Sequence, residues 1–127
     1  MEEELENPNK KYREESIFIP SLSKNILFRI GKNAEGNFQI IDLSKEDDLW
    51  FHISGASSAH VIAVVPYFAL DKKQKRDLVK RGAVLCKKYS KYAGAKNVEI
   101  DYTEIRNVKK TDVVGSVIIN HSRTQVI

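Results

Sequence analysis

The sequence predicts a single α/β domain of the α+β type, with a mixed, mostly antiparallel sheet packed against one long amphipathic helix. Two observations carry this. Several five-residue segments alternate apolar and polar residues with the period of a strand. Only one segment, which begins at Asp71, holds helical spacing over several turns. At 127 residues there is room for one domain with one core and no need of staples.

Ile26, Phe28 and Ile30 share one face of a first strand, with Arg29 opposite. Phe38–Asp42 fits either a strand or the end of a short helix. In Leu49–Ile53, the residues Leu49, Phe51 and Ile53 face one way and Trp50 and His52 the other. Val61–Val65 is an unbroken β-branched run ended by Pro66, as expected of a buried central strand. In Val98–Thr103, Val98, Ile100 and Tyr102 oppose Glu99 and Asp101. Gly115 opens a strand at Val117–Ile119, and Arg123–Ile127 begins one more. For the helix, Asp71 and Gln74 form a capping-box variant. The apolar stripe runs from Leu78 to Ala93, and Gly94 is the expected stop.

Composition and charge restrict the function classes. A single cysteine excludes a disulfide scaffold and a Cys-based zinc site; Cys86 lies on the helix's apolar stripe and reads as a small buried hydrophobe. No apolar run approaches the roughly 20 residues of a membrane span, and the first residues carry no apolar core of a signal peptide. The expectation is a reducing, cytoplasmic setting and no membrane partner. For that reason the sequon Asn120-His121-Ser122 carries no glycosylation expectation. Residues 1–15 hold six acids and three bases, whereas residues 16–127 hold 18 bases and 11 acids. The expected organisation is therefore a disordered acidic tail over 1–15 and a basic domain over 16–127. Such a domain favours phosphate-rich partners. Between Asp71 and Lys96 there are ten bases and two acids, so the helix presents a ridge that includes Lys73, Arg76, Lys80, Lys87 and Lys91.

Four constellations could carry chemistry. Gly31 and Gly36 have the spacing of a phosphate loop, but Asn37-Phe38 follow where Lys and Ser/Thr are needed, so a tight turn bearing Lys32 and Asn33 is expected. Trp50 and His52 emerge on one side of a strand and could stack bases and touch phosphate, or Trp50 could cover a second small core. Ser57-Ser58-Ala59-His60 enters the apolar strand; it has no nucleophile elbow and no orienting acid, so His60 suits anion or base recognition, or ties a loop to a strand. Arg106, Lys109 and Lys110 form a basic cluster in a loop between strands, a phosphate contact in expectation. His52 and His60 lack a third ligand, so no metal and no cofactor is expected.

The order IGKN, DLWFH, SSAHV, long helix, VEIDYT, NVKK and a Gly-initiated strand resembles the NFACT-R domain over roughly residues 26–127. That domain occurs in ribosome quality-control tailing factors and in stand-alone eukaryotic coiled-coil proteins. SSAHV is closer to the stand-alone form. The matching positions are Gly31, Lys32, Asn33, Asp48, Trp50, His52 and Ser58, then His60, Val61, Tyr102, Thr103, Lys109, Lys110 and Gly115. The resemblance implies an RNA-binding α/β domain linked to translation or ribosome quality control, with tRNA or ribosomal RNA as ligand and a ribosomal subunit as a further partner. DNA is the runner-up ligand, since phosphate contacts alone do not separate the two. The tailing factors' helix-hairpin-helix module and coiled-coil arms are absent from this sequence, so tailing activity does not carry over. The stand-alone relatives continue into a coiled coil, whereas this sequence stops at Ile127.

The expected function is thus non-enzymatic nucleic-acid binding through Lys32, Asn33, Trp50, His52, Ser58, His60, Arg106, Lys109 and Lys110. One rival is a protein-interaction module that docks on a ribosome or a quality-control partner. The other is a small hydrolase acting through His52 and His60 with Asp48 in reach.

Overall fold

The computed structural model describes residues 7–127. The strands are β1 (Tyr12–Ile19), β2 (Lys24–Gly31), β3 (Leu49–Ile53), β4 (Val61–Val64), β5 (Glu99–Glu104), β6 (Val108–Lys110), β7 (Val117–Ile119) and β8 (Arg123–Val126). The helices are α1 (Ala34–Asp42) and α2 (Lys72–Lys88). Six strands form one sheet in the order β1-β2-β4-β3-β5-β8, while β6 and β7 form a separate hairpin. Every described pairing is antiparallel, so the expected mixed character of the sheet is corrected. Val61–Val64 lies in the interior of the sheet, as its apolar run predicts.

The alternation read from sequence sets the two faces. Phe28, Phe51, Val61, Ala63 and Ile100 point to one side, against Leu78, Ala83 and Cys86 of α2. The packing is close: a Cβ on Gly82 would run into the Phe51 ring. Cys86 is buried there, and burial pushes its thiol up to about 12. The capping box at Asp71 and Gln74 forms as expected. The helix nevertheless stops at Lys88, not at Gly94. Ser90 accounts for this, since its hydroxyl bonds the Lys87 carbonyl and accepts from the Tyr92 N–H, so it competes with the helical ladder.

The opposite face differs from expectation in having its own helix. Asn33 caps α1, its Oδ1 accepting from the Gly36 N–H at 2.8 Å. The Gly31–Asn37 stretch is thus a strand end feeding a helix rather than an isolated tight turn. Ile40 of α1, Trp50 of β3, Ile62 of β4 and Ile105 form a second, smaller core, flanked by Val108, Val117 and Ile119 of the hairpin. Lys109 and Lys110, expected in a loop, belong to β6.

The expected tail boundary also moves. Residues 1–6 lie outside the described residues, but Tyr12–Glu15 belong to β1, which pairs along its whole length with β2. Charge disguises this strand. Its Glu14 pairs with Arg29 directly opposite at 3.1 Å, and Glu15 accepts from the Tyr89 hydroxyl. An edge strand tolerates and benefits from such charges, which discourage pairing with a further strand.

Candidate nucleic-acid interface

The α1 side of the sheet leaves a cleft of about 700 Å³ between the start of α1, the β3–β4 segment and the turn of the hairpin. Gly115 closes one wall. It has a φ of +86°, which favours glycine, and a Cβ there would sit 2.7 Å from the Cβ of Ala34. Lys32, Asn33, Trp50, His52, Ser58 and His60 all line this cleft. Arg106, Lys109 and Lys110 do not, so six of the nine expected site residues converge and three stand apart.

The cleft floor is an aromatic cluster. Trp50 and His52 are stacked, 5.5 Å apart and 7° from parallel. His60 meets both edge-on, at 5.3 Å from Trp50 and 5.1 Å from His52. Trp50 Nε1 donates to His60 Nδ1 at 3.1 Å. An indole N–H can only donate, so this bond fixes His60 as the tautomer protonated on Nε2. Burial and the neighbouring His52 lower the His60 pKa to about 3. Burial also lowers His52, against the raising influence of Ile53 backbone and of the Asp101 carboxylate. Both imidazoles are therefore neutral near pH 7. They offer rings and hydrogen bonds, not charge.

This geometry corrects several expected contacts. Trp50 and His60 are each only 2% exposed, so neither is a broad platform for a ligand; Trp50 covers the second core and supports His52 from below. Half-buried His52 is the more open ring of the floor. Ser58 is structural. Its hydroxyl accepts from the Ile53 N–H and donates to the Ala59 carbonyl, holding the loop to the end of β3. Asn33 commits its Oδ1 to the α1 cap, while its Nδ2 has no hydrogen-bond partner among the described residues. Asp48 does not line the cleft that holds the imidazoles. Its carboxylate accepts from Lys45 and Val65 backbone N–H groups, and burial raises its pKa. The carboxylate expected beside His52 and His60 is thus engaged elsewhere.

The cations divide in the same way. Arg106 pairs with Asp47 and lies 3.8 Å from Glu104. Lys110 pairs with Asp42 and sits over the Phe38 ring. Lys32 and Lys109 are exposed and have no carboxylate partner among the described residues. Among the described residues, no three His, Cys, Asp or Glu side chains lie together to hold a metal ion.

Sequence reading missed four contributors. Asn37 is buried, and its Oδ1 accepts from the His60 N–H at 3.0 Å, so α1 fixes the height of the imidazole. No periodic signal marks Asn37, because its burial serves a long-range hydrogen bond and not apolar packing. Asp101 lies opposite His52 in the β3–β5 register, a relation visible only once the strands are paired. Arg13 and Tyr89 also line the cleft, with the guanidinium 4.8 Å from the ring centroid. Arg13 was hidden in the presumed tail.

Comparison with known proteins places this fold. Residues 16–121 match the family described as the NFACT protein RNA binding domain. The chain belongs to that family, whose description is RNA binding. Coiled-coil domain-containing protein 25 of Mus musculus is 35% identical over 88 residues, covering 65% of this chain and 40% of the relative. The same protein of Bos taurus aligns with the same identity and coverage. This chain therefore spans well under half of the relatives' length. Among solved structures, the C-terminal part of the fibronectin/fibrinogen-binding protein from Streptococcus suis superimposes with a TM-score of 0.75. It is 20% identical, with 98% of this chain and 47% of that one covered, and it shares the fold.

Proposed function

We propose that this chain binds RNA through the cleft face, with tRNA or ribosomal RNA as the ligand, in translation or ribosome quality control in the cytoplasm. Lys32 at the cleft rim and Lys109 on the hairpin contact phosphates, joined by Arg13. His52 and His60 meet sugar or base. The supporting observation is convergence: six of the residues expected to bind from sequence line one cleft, and the family is an RNA-binding one. Arg106 and Lys110 are already engaged by Asp47 and Asp42, so their share of the affinity is smaller.

Labelled tRNA, single-stranded RNA and duplex DNA, each titrated at low and physiological salt, test this. Affinity for RNA is expected to fall steeply with salt, with a log–log slope of about −0.7 to −0.9 per phosphate contacted. It is also expected to weaken in Lys32→Glu/Lys109→Glu. Equal binding to every polyanion, with only total charge mattering, would reduce the cleft to a generic basic surface.

One observation favours a second reading. Val113, Val114 and Ile118 of the hairpin are exposed side by side in sequence with the basic cluster, as a protein-docking surface would be. That reading predicts no RNA binding and capture of a ribosomal partner lost in Val113→Asp/Ile118→Asp.

A further inference from the structure

The cleft has a polar end and an aromatic floor. At the polar end, the N–H groups of Ala34 and Glu35 open α1 and have no partner within the helix, while Asn33 takes the next one, from Gly36. Lys32 stands exposed beside them. Backbone N–H groups and an ammonium at a helix start suit a phosphate. On the floor, His60 supplies an independent observation. Its residue is 2% exposed, its Nδ1 is taken by Trp50, and its Nε2 has no hydrogen-bond partner among the described residues. That nitrogen is also not among the side-chain atoms sealed from solvent without a partner. A buried ring lining a cleft with a free N–H donor calls for an acceptor from outside the protein. Beside it, the half-buried His52 ring, backed by Trp50, offers a π-face.

We propose that the cleft seats one unpaired ribonucleotide, its phosphate at Lys32 and the start of α1 and its base against His52, with His60 Nε2–H donating to a base acceptor. This rests on the RNA-binding reading and deepens it, because it names what part of the RNA enters. Paired bases keep their faces inside the stack and their edges in the pair. An unpaired base can leave the strand, stack on an aromatic ring and offer its edge. The size is suitable, as about 700 Å³ is within the range of small-ligand pockets and far too small for a duplex. Asn37 and Trp50 act as positioning residues, since they fix the place and tautomer of His60 without reaching the ligand.

Trp50 is the only tryptophan in the chain and it lines the cleft, so its emission reports on the floor. The whole chain is titrated with a single-stranded RNA, a blunt RNA duplex, a nucleoside monophosphate and inorganic phosphate. Binding is followed separately by anisotropy of labelled RNA. Single-stranded RNA is expected to change Trp50 emission, and the monophosphate to reproduce that change at high concentration. The duplex binds without it, and inorganic phosphate leaves it untouched. His52→Ala is expected to weaken single-stranded binding about tenfold, the low end of one base stack. Lys32→Glu, at an exposed position that threatens no packing, weakens it as well. Single-stranded RNA bound with unchanged Trp50 emission, or equal affinity in both variants, overturns the nucleotide seat and leaves RNA binding standing. An emission change produced equally by inorganic phosphate reduces the seat to a phosphate site and overturns it too. Absence of RNA binding by anisotropy overturns both readings together.

Discussion

The two faces of the sheet bury comparable side chains for different ends. On the α2 side, Phe51, Val61 and Ile100 meet a seventeen-residue helix in a continuous apolar layer. On the α1 side, a nine-residue helix and a short hairpin cover only part of the sheet, and the uncovered part is the cleft. Trp50 and Phe51 are neighbours in sequence and nearly equal in burial, yet Phe51 serves only its core, whereas Trp50 both covers the smaller core and fixes the tautomer of a histidine. A fully covered face gives stability alone. A half-covered face gives a concave site whose walls are still held by a core.

The largest expected effect breaks the first face. Phe51→Ala should cost about 3–5 kcal/mol, the usual loss for a buried phenyl ring, read as a lower midpoint in urea. Gly82 packs directly on that ring, so the helix would have to shift to fill the space. Next comes the joint between the faces. Asn37→Ala leaves the buried His60 N–H without its acceptor, at a cost of about 1–3 kcal/mol. It should lower RNA affinity besides, which Phe51→Ala at matched stability should not.

Acid should separate the faces as well. The folded-state pKa of His60, about 3, lies below its ordinary value of 6.5, so the unfolded chain takes the proton first. Stability is therefore full above about pH 6.5 and declines as pH falls towards 3. His52 adds in the same direction, while Asp48, raised by burial, gains stability on protonation and opposes them at the acid end. Denaturant midpoints across that range should fall less steeply in His60→Gln. A smaller effect concerns the cations. Lys109→Glu should weaken RNA binding and reduce the salt slope by about one. Lys110→Ala should do less, because Asp42 already neutralises that ammonium. The smallest effect is expected on the far face, where Lys80→Glu on the exposed side of α2 should leave RNA affinity unchanged.

Strand period and helix period made most of the sheet and α2 legible from sequence, because each of those elements has one face in a core. What escaped had a physical cause in each case. β1 is an edge strand whose charges satisfy one another across the pair with β2, so it reads like a solvated tail. α1 is short and carries Gly36 and Asn37, poor helix formers, with Asn37 buried for its hydrogen bond to His60 and not for apolar packing. The end of α2 is decided by the Ser90 hydroxyl and not by Gly94. For the site, residue types pointed to the cleft but not to roles. Trp50 and Ser58 read as ligand contacts and serve as supports, because their polar atoms are taken by the protein, and Asn33 commits its Oδ1 to the α1 cap. Asp101 could be placed beside His52 only through strand pairing.

The most direct test of the central claim is an amide chemical-shift map of the chain with a single-stranded RNA at physiological salt. The account predicts a footprint on Gly31–Ala34, His52, Ser58–His60 and Gly115, with Lys73–Lys88 undisturbed. A footprint along α2 that spares the cleft would contradict it and move RNA binding to the basic ridge.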